Sequence, residues 1–290
     1  MKQLILLIIL TISWATFSNA AQYAVARSST PVLNTPSFSI VFGGTDGNKL
    51  KTDRCGQVRE LEYIALPVTS FKLLREIRNN KSIVYQVETP DYPAPANTKL
   101  YVDSRFIELH DSPPPERARK LPERQKVISG LRGAIGSPYV WGGNVQQGVG
   151  ELSEIFYNGT RAPGKPELLA GLDCSGLLYQ ATQGWTPRNT SQLISFGTGL
   201  AIAHKTIGEI SHMLEPLDLI VWNGHVIIVL DRDTAIESRL ECGKPGHGGV
   251  VTTALEQRLA EIMRTRRPMD NWPKDGKHRD VFVVRRWFGL

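Results

Sequence analysis

Cysteine is scarce in this sequence. Three occur, Cys55, Cys174 and Cys242, whereas an exported disulfide scaffold carries more, in even number. The fold must therefore rest on an apolar core, which a 41% hydrophobic composition can supply. Long apolar runs are missing too. After residue 20 no stretch approaches the roughly eighteen apolar residues that mark a membrane span, and no cysteine follows the short apolar run at the start, which argues against a lipid anchor. No Cys or His pair has metal-ligand spacing, and His247, near Cys242, sits in a glycine-rich loop over residues 243–249. No glycine-rich phosphate loop is followed by Lys and Ser or Thr, and there is no low-complexity tract. These absences leave a globular protein for which no metal, nucleotide or other cofactor is expected.

What is present begins with an address. Lys2, an apolar run from Leu4 to Ile12 and the small residues Ser18-Asn19-Ala20 read as a removed export signal over residues 1–20, with cleavage before Ala21. The mature chain is expected to be soluble, without a stable membrane anchor, and periplasmic or extracellular. Its net charge of +6 falls to +5 once Lys2 is removed. Residues 262–290 hold eight Arg or Lys against three Asp, so the basic excess sits in the last segment. That segment lacks the interleaved aromatics of a nucleic-acid groove. It reads as a solvated face, or as one turned toward anionic wall polymer or a membrane surface. Oligomeric state is not legible.

The proline-rich, charged stretch 113–122 reads as an extended connector, with folding units at 21–112 and 123–290 on either side. In the first, residues 71–77 and Ser82–Glu88 flank a turn at 78–81 and form a hairpin, and 99–109 form a further strand. About ninety residues with no long helix suit a small SH3-like β-barrel. The run Leu100-Tyr101-Val102-Asp103-Ser104-Arg105-Phe106-Ile107 resembles the closing strand of bacterial SH3-like wall modules.

The second unit opens with a helix over 124–135 and then carries five ordered motifs. They are Pro138-Tyr139-Val140-Trp141-Gly142-Gly143, Asp173-Cys174-Ser175-Gly176-Leu177, Pro187-Arg188-Asn189-Thr190-Ser191-Gln192, Leu214-Glu215-Pro216-Leu217-Asp218-Leu219-Ile220 and Gly224-His225-Val226. Together these resemble the NlpC-type peptidoglycan cysteine peptidases, and Val281-Phe282-Val283-Val284-Arg285-Arg286 is similar to that family's last strand. The resemblance implies an α+β fold: a small SH3-like β-barrel, then a papain-like domain with helices packed on an antiparallel sheet. It also implies cleavage of stem peptides between D-glutamate and diaminopimelate or lysine, the activity of γ-D-glutamyl-L-diamino acid endopeptidases. Peptidoglycan or its muropeptides would be the partner, and nucleic acid would not.

Roles follow from residue chemistry. Cys174 opens an apolar helix, whose N-terminal partial charge favours thiolate over thiol. His225 opens the apolar run Val226-Ile227-Ile228-Val229-Leu230, so a sheet would hold the imidazole that pairs with the thiol and later protonates the departing amine. The resemblance implies a third polar group about twelve residues on, which falls on Glu237. A three-residue loop at Asp231-Arg232-Asp233 puts Glu237 on the His225 face, whereas a two-residue loop puts Ser238 there. Tyr139 and Trp141 either wall the groove or pack in the core, and Arg188 meets either a substrate carboxylate or an internal one. In relatives that need a free N-terminal L-alanine, the resemblance implies that Asp173 and Ser175 bind the amine. A tyrosine of the first unit, Tyr92 or Tyr101, would close that pocket. Asp173 reads equally well as a plain helix cap. The segment 145–171, longer than the family's usual link, reads as a lid or an exposed excursion.

Other readings stay open: an N-acetylmuramoyl-L-alanine amidase or transpeptidase of the same chemistry, or a non-catalytic wall-binding protein. The joint presence of Cys174 and His225 favours an enzyme. Whether Cys55 and Cys242 pair is open as well.

Overall fold

β-Branched and aromatic residues in short runs favour strands, and the turn residues between them keep the runs short. The computed structural model describes residues 22–79, 82–156, 167–243, 248–273 and 280–289. Residues 1–20, expected to be an export signal, Asn80 and Lys81 of the expected hairpin turn, and His247 lie outside these. The first unit holds strands β1 (Tyr23–Ala26), β2 (Thr30–Leu33), β3 (Leu61–Ala65), β4 (Ser70–Asn79), β5 (Ser82–Glu88), β6 (Leu100–Asp103) and β7 (Ile107–His110). They form one antiparallel sheet in the order β3-β2-β6-β5-β4-β1-β7. β4 and β5 are the expected hairpin. Residues 99–109 are not one strand. Asp103 accepts from the Arg105 backbone N–H at 3.0 Å and grips the same residue's guanidinium. The resulting turn at Ser104–Phe106 swings the chain from β5 across to β1. A short helix, α1 (Phe38–Gly43), was not anticipated; it buries Phe38, Val41 and Phe42.

The second unit begins with α2 (Arg124–Gly133), two residues shorter than its sequence suggests. It continues through β8 (Asn144–Val145), α3 (Glu151–Phe156), β9 (Gly171–Leu172), α4 (Cys174–Ala181), α5 (Thr190–Leu193), β10 (Thr198–Gly199) and α6 (Ile207–Met213). The chain closes with β11 (Leu219–Trp222), β12 (His225–Val229), β13 (Thr234–Leu240), β14 (Gly248–Ala254), α7 (Leu255–Met263), β15 (Arg267–Pro268) and β16 (Val281–Arg286). The main sheet runs β10-β16-β11-β12-β13-β14. Its residues alternate between two cores. Val226, Ile228 and Ile236 pack with α2 and α4 on one face, and Ile227, Val229 and Ala235 pack with α6 and α7 on the other. The whole is an α+β fold with antiparallel sheets and few helices. Among the described residues no helix is long and apolar enough to cross a membrane.

The two units are not beads on a string. Arg117 and Arg119 of the connector both clamp the buried carboxylate of Asp91, and Arg117 also donates to the Gln183 carbonyl. Segment 145–171, outside 157–166, is a brace and not an exposed excursion: Val149, Leu152, Phe156 and Leu169 pack with Phe38, Val41 and Phe42 in one apolar cluster. Cys55 and Cys242 form a disulfide between the units. Among the described residues of the basic C-terminal segment, four arginines have partners within the protein, and Arg264 is exposed. Arg266 covers the Trp222 ring, Arg267 pairs with Asp280, Arg285 donates to the carbonyls of Ser195 and Phe196, and Arg286 pairs with Asp218. Its three other basic residues outside the N-terminal Arg264, at 274–279, lie beyond the described residues.

Candidate active site

Asp173 is extended (φ −85°, ψ −179°) and its Oδ1 accepts from the Gly176 N–H at 2.6 Å, which starts α4 at Cys174. The cysteine is buried, and its Sγ lies 4.0 Å from the Gly224 carbonyl oxygen. Gly224, at φ 103°, turns the chain into β12, and Thr190 Oγ1 accepts its N–H at 3.1 Å. His225 follows at the strand's end, where its ring reaches both Cys174 on the α4 side and Glu237 on the α7 side.

The register decides the parity question. Val229 pairs with Ala235 and Ile228 with Ile236, and the Leu230 N–H bonds the Thr234 carbonyl at 2.8 Å, closing a three-residue loop at 231–233. Glu237 thus falls opposite Ile227, and His225 Nε2 donates to its Oε2 at 2.6 Å. The other ring nitrogen, Nδ1, is left for the thiol. Ser238 points the opposite way and donates to the Leu172 carbonyl at 2.7 Å, steadying the backbone just before Asp173. Burial of the imidazole opposes protonation, but hydrogen bonds with Cys174 and Glu237 outweigh it and raise the His225 pKa to about 9. Glu237 is 1% exposed. Burial pushes its pKa up, yet the hydrogen bonds from His225 and Arg258 win and hold it at about 2. A buried thiol, a protonated imidazole and an ionised carboxylate in line can make and stabilise a sulfur nucleophile.

Arg188 is fully buried and its five N–H groups are all engaged. Nη1 and Nη2 grip Asp173 at 3.0 and 2.6 Å, Nη1 also meets Ser175 Oγ at 2.9 Å, Nε donates to Asn144 Oδ1 at 3.1 Å and Nη2 to the Gly143 carbonyl at 3.4 Å. Arg188 therefore has no donor left for a substrate carboxylate. Asp173 is correspondingly a cap and a clamp whose charge is already matched, and Ser175 is held in the same network. Asn144 extends it to the first unit by bonding both backbone groups of Ile64, at 3.0 and 2.8 Å.

Two tyrosines of the first unit were candidates. Tyr101 is packed in the shared apolar cluster. Tyr92 stacks on Tyr63 with ring centroids 4.4 Å apart and donates to Glu62 Oε2 at 2.8 Å. Burial raises its pKa, and the Glu62 charge adds to that; Asn189 and Arg188 are close enough to oppose it. Tyr139 lies near the nucleophile: burial, then the charges of Asp173 and Cys174, push its hydroxyl pKa up. Trp141 is 39% exposed, with the Arg59 guanidinium 4.3 Å from its ring centroid. Glu62, Asn144 and Arg258 were not singled out in the sequence, because each acts through a contact distant along the chain; Arg239 sits only two residues from Glu237, where nothing in the sequence marks it.

No protein-family model and no curated protein matches the sequence. Solved structures do match, two of them as follows. One, described as NlpC2 from Trichomonas vaginalis, is 10% identical, with a TM-score of 0.30 over 92% of this chain and 73% of that one. The other, an NlpC/P60 endopeptidase from Photobacterium damselae subsp. piscicida, is 13% identical, with a TM-score of 0.29 over 81% of this chain and 47% of that one. Neither likeness speaks to the chemistry of this chain's site.

Proposed function

We propose that the chain is an exported, papain-like cysteine peptidase. It would cut the peptidoglycan stem at the γ-D-glutamyl bond to diaminopimelate or lysine, on peptides with a free N-terminal L-alanine. The observation that carries the reading is the line from Cys174 through His225 to Glu237. In this mechanism the thiolate of Cys174 attacks the γ-carbonyl carbon, and the backbone N–H groups at the start of α4, which have no carbonyl one turn back, face the developing oxyanion. The imidazolium of His225 gives its proton to the departing amine as the C–N bond breaks. Water then hydrolyses the thioester, with the neutral imidazole as base. Export is supported by the disulfide, which persists in oxidising compartments. The SH3-like character of the first unit is part of the same proposal.

An N-terminal ammonium needs an anion whose charge is not already matched. Asp173 is paired with Arg188, so the proposal moves that role to Glu62, with Tyr92 fixing its carboxylate. The test incubates the mature protein with free L-Ala-γ-D-Glu-diaminopimelate and, separately, with intact sacculi, and follows products by mass spectrometry. Cleavage of the free peptide alone is expected, and Cys174→Ala should lose it by several orders of magnitude. Retention of about a tenth of the activity by Cys174→Ala removes the nucleophile assignment. Efficient release from sacculi removes the free-amine requirement.

A further inference from the structure

A glutamate side chain has three rotatable torsions, and a carboxylate that orients an imidazole is useful only if its plane is fixed. We propose that Arg258 on α7 is a positioning residue that fixes that plane, as the outer member of a line running Cys174, His225, Glu237, Arg258. Its Nε donates to Glu237 Oε1 at 2.7 Å and its Nη2 to Oε2 at 3.0 Å, so the fork holds both oxygens while Oε2 also takes the imidazole. Arg258 is itself held: its Nη1 donates to Glu261 Oε2 at 3.0 Å, one turn further along α7, and Gln257 braces the other oxygen of Glu261. Arg239 is near but does something different. Its Nε lies 3.0 Å from Glu237 Oε1 without hydrogen-bond alignment, and its Nη2 is committed to Thr253 Oγ1 at 2.5 Å. It supplies charge, whereas Arg258 supplies direction.

The charged groups facing the Cys174–His225 pair are Asp173 with Arg188 beside α4, Glu237 and Arg239 from β13, and Arg258 and Glu261 from α7. Tyr139 beside the thiol, and Trp222 beside the imidazole with Arg266 over it, complete the surroundings. Removing the Arg258 cation leaves the imidazolium with less opposing charge, so its proton is held to higher pH. Replacing guanidinium by ammonium keeps the charge but loses the two-pronged grip.

The inference rests on the peptidase reading, but one readout does not. With Cys55 and Cys242 in a disulfide, Cys174 is the one free thiol, so its alkylation by iodoacetamide against pH reports the Cys174–His225 pair without any substrate. In Arg258→Met the alkaline inflection of that curve should move upward, and kcat on the free stem peptide should fall about tenfold or more with KM little changed, as for other partners that orient a reacting group from behind. Arg258→Lys should restore the inflection but not kcat. Circular dichroism of both variants checks folding, and if the methionine variant does not fold, the lysine variant decides by its kcat alone. An alkylation curve and kcat unchanged in folded Arg258→Met, or full kcat in Arg258→Lys, overturns the proposal. If the wild type cuts no stem peptide but its alkylation curve still shifts in Arg258→Met, the substrate reading fails and the positioning role stands.

Discussion

Glu237 keeps a negative charge with almost no contact with water, and the effect falls on His225. The imidazole pKa is raised from its ordinary 6.5 to about 9, so the stability it contributes is fully present below about 6.5 and is lost as pH rises through about 9. The carboxylate pKa is lowered from 4.5 to about 2, so its contribution is present above about 4.5 and is lost as pH falls through about 2. The two overlap fully between about pH 4.5 and 6.5. Melting curves of wild type and Glu237→Gln should therefore differ most in that window and converge toward pH 9 and above; a gap in Tm that is flat from pH 5 to 9 would exclude the charged pair. Activity should drop less in Glu237→Gln than in Glu237→Ala, since an amide still accepts a hydrogen bond. Cys174 and His225 were legible because each opens an apolar run inside a motif, and Glu237 because strand parity leaves two choices. Arg258 was not legible. A lone arginine on a helix face twenty-one residues away looks like any solvated charge until the sheet and α7 are packed together.

α4 shows what an element needs in order to deliver a residue. Asp173 caps it, Arg188 clamps the cap, and glycines let the flanking backbones close in. A β-carbon at Gly176 would overlap the Gly143 carbonyl oxygen, and one at Gly143 would lie 2.6 Å from the Gly171 carbonyl oxygen. Gly176→Ala must push α4 away from β8 and carry Cys174 with it. The expected outcome is a loss of about 1 to 3 kcal/mol, typical of overpacking, together with slower Cys174 alkylation at neutral pH. Unchanged alkylation with lowered Tm would show that the strain is absorbed away from the helix start. These glycines were visible as motif letters, but their reason, the approach of two backbones, appears only in three dimensions. The broken strand at Ser104–Phe106 has the same lesson. Alternating apolar residues suggest continuity, and only the turn chemistry of Asp103 and Arg105 overrides them.

At the scale of the whole molecule, the boundary drawn from the connector marks a change of sheet but not an end of packing. Phe38, Phe42 and Phe156 share one cluster across it, so removing the first unit would strip cover from the second. Composition shows a proline-rich connector well; it cannot show that the insertion before Cys174 folds back onto α1. The disulfide adds something different, because it joins the first and third cysteines and skips the second. A chain delivered N-terminus first to an oxidising compartment exposes Cys55 and Cys174 together while Cys242 has yet to arrive. The Cys174 thiol is then the available partner for Cys55, and the mispaired form must be undone by thiolate attack before the native bond can form. In the full reduced chain Cys174 is also nearer along the sequence to each of the other two cysteines than they are to each other, so oxidative refolding should reach the native disulfide faster in Cys174→Ser than in wild type, and a disulfide isomerase should remove the difference. Equal rates without isomerase would mean that Cys174 is buried before it can react. The side chain proposed to make this protein an enzyme is, while the chain is still folding, a competitor for its only structural crosslink, and maturation would then depend on how well the host compartment reshuffles disulfides.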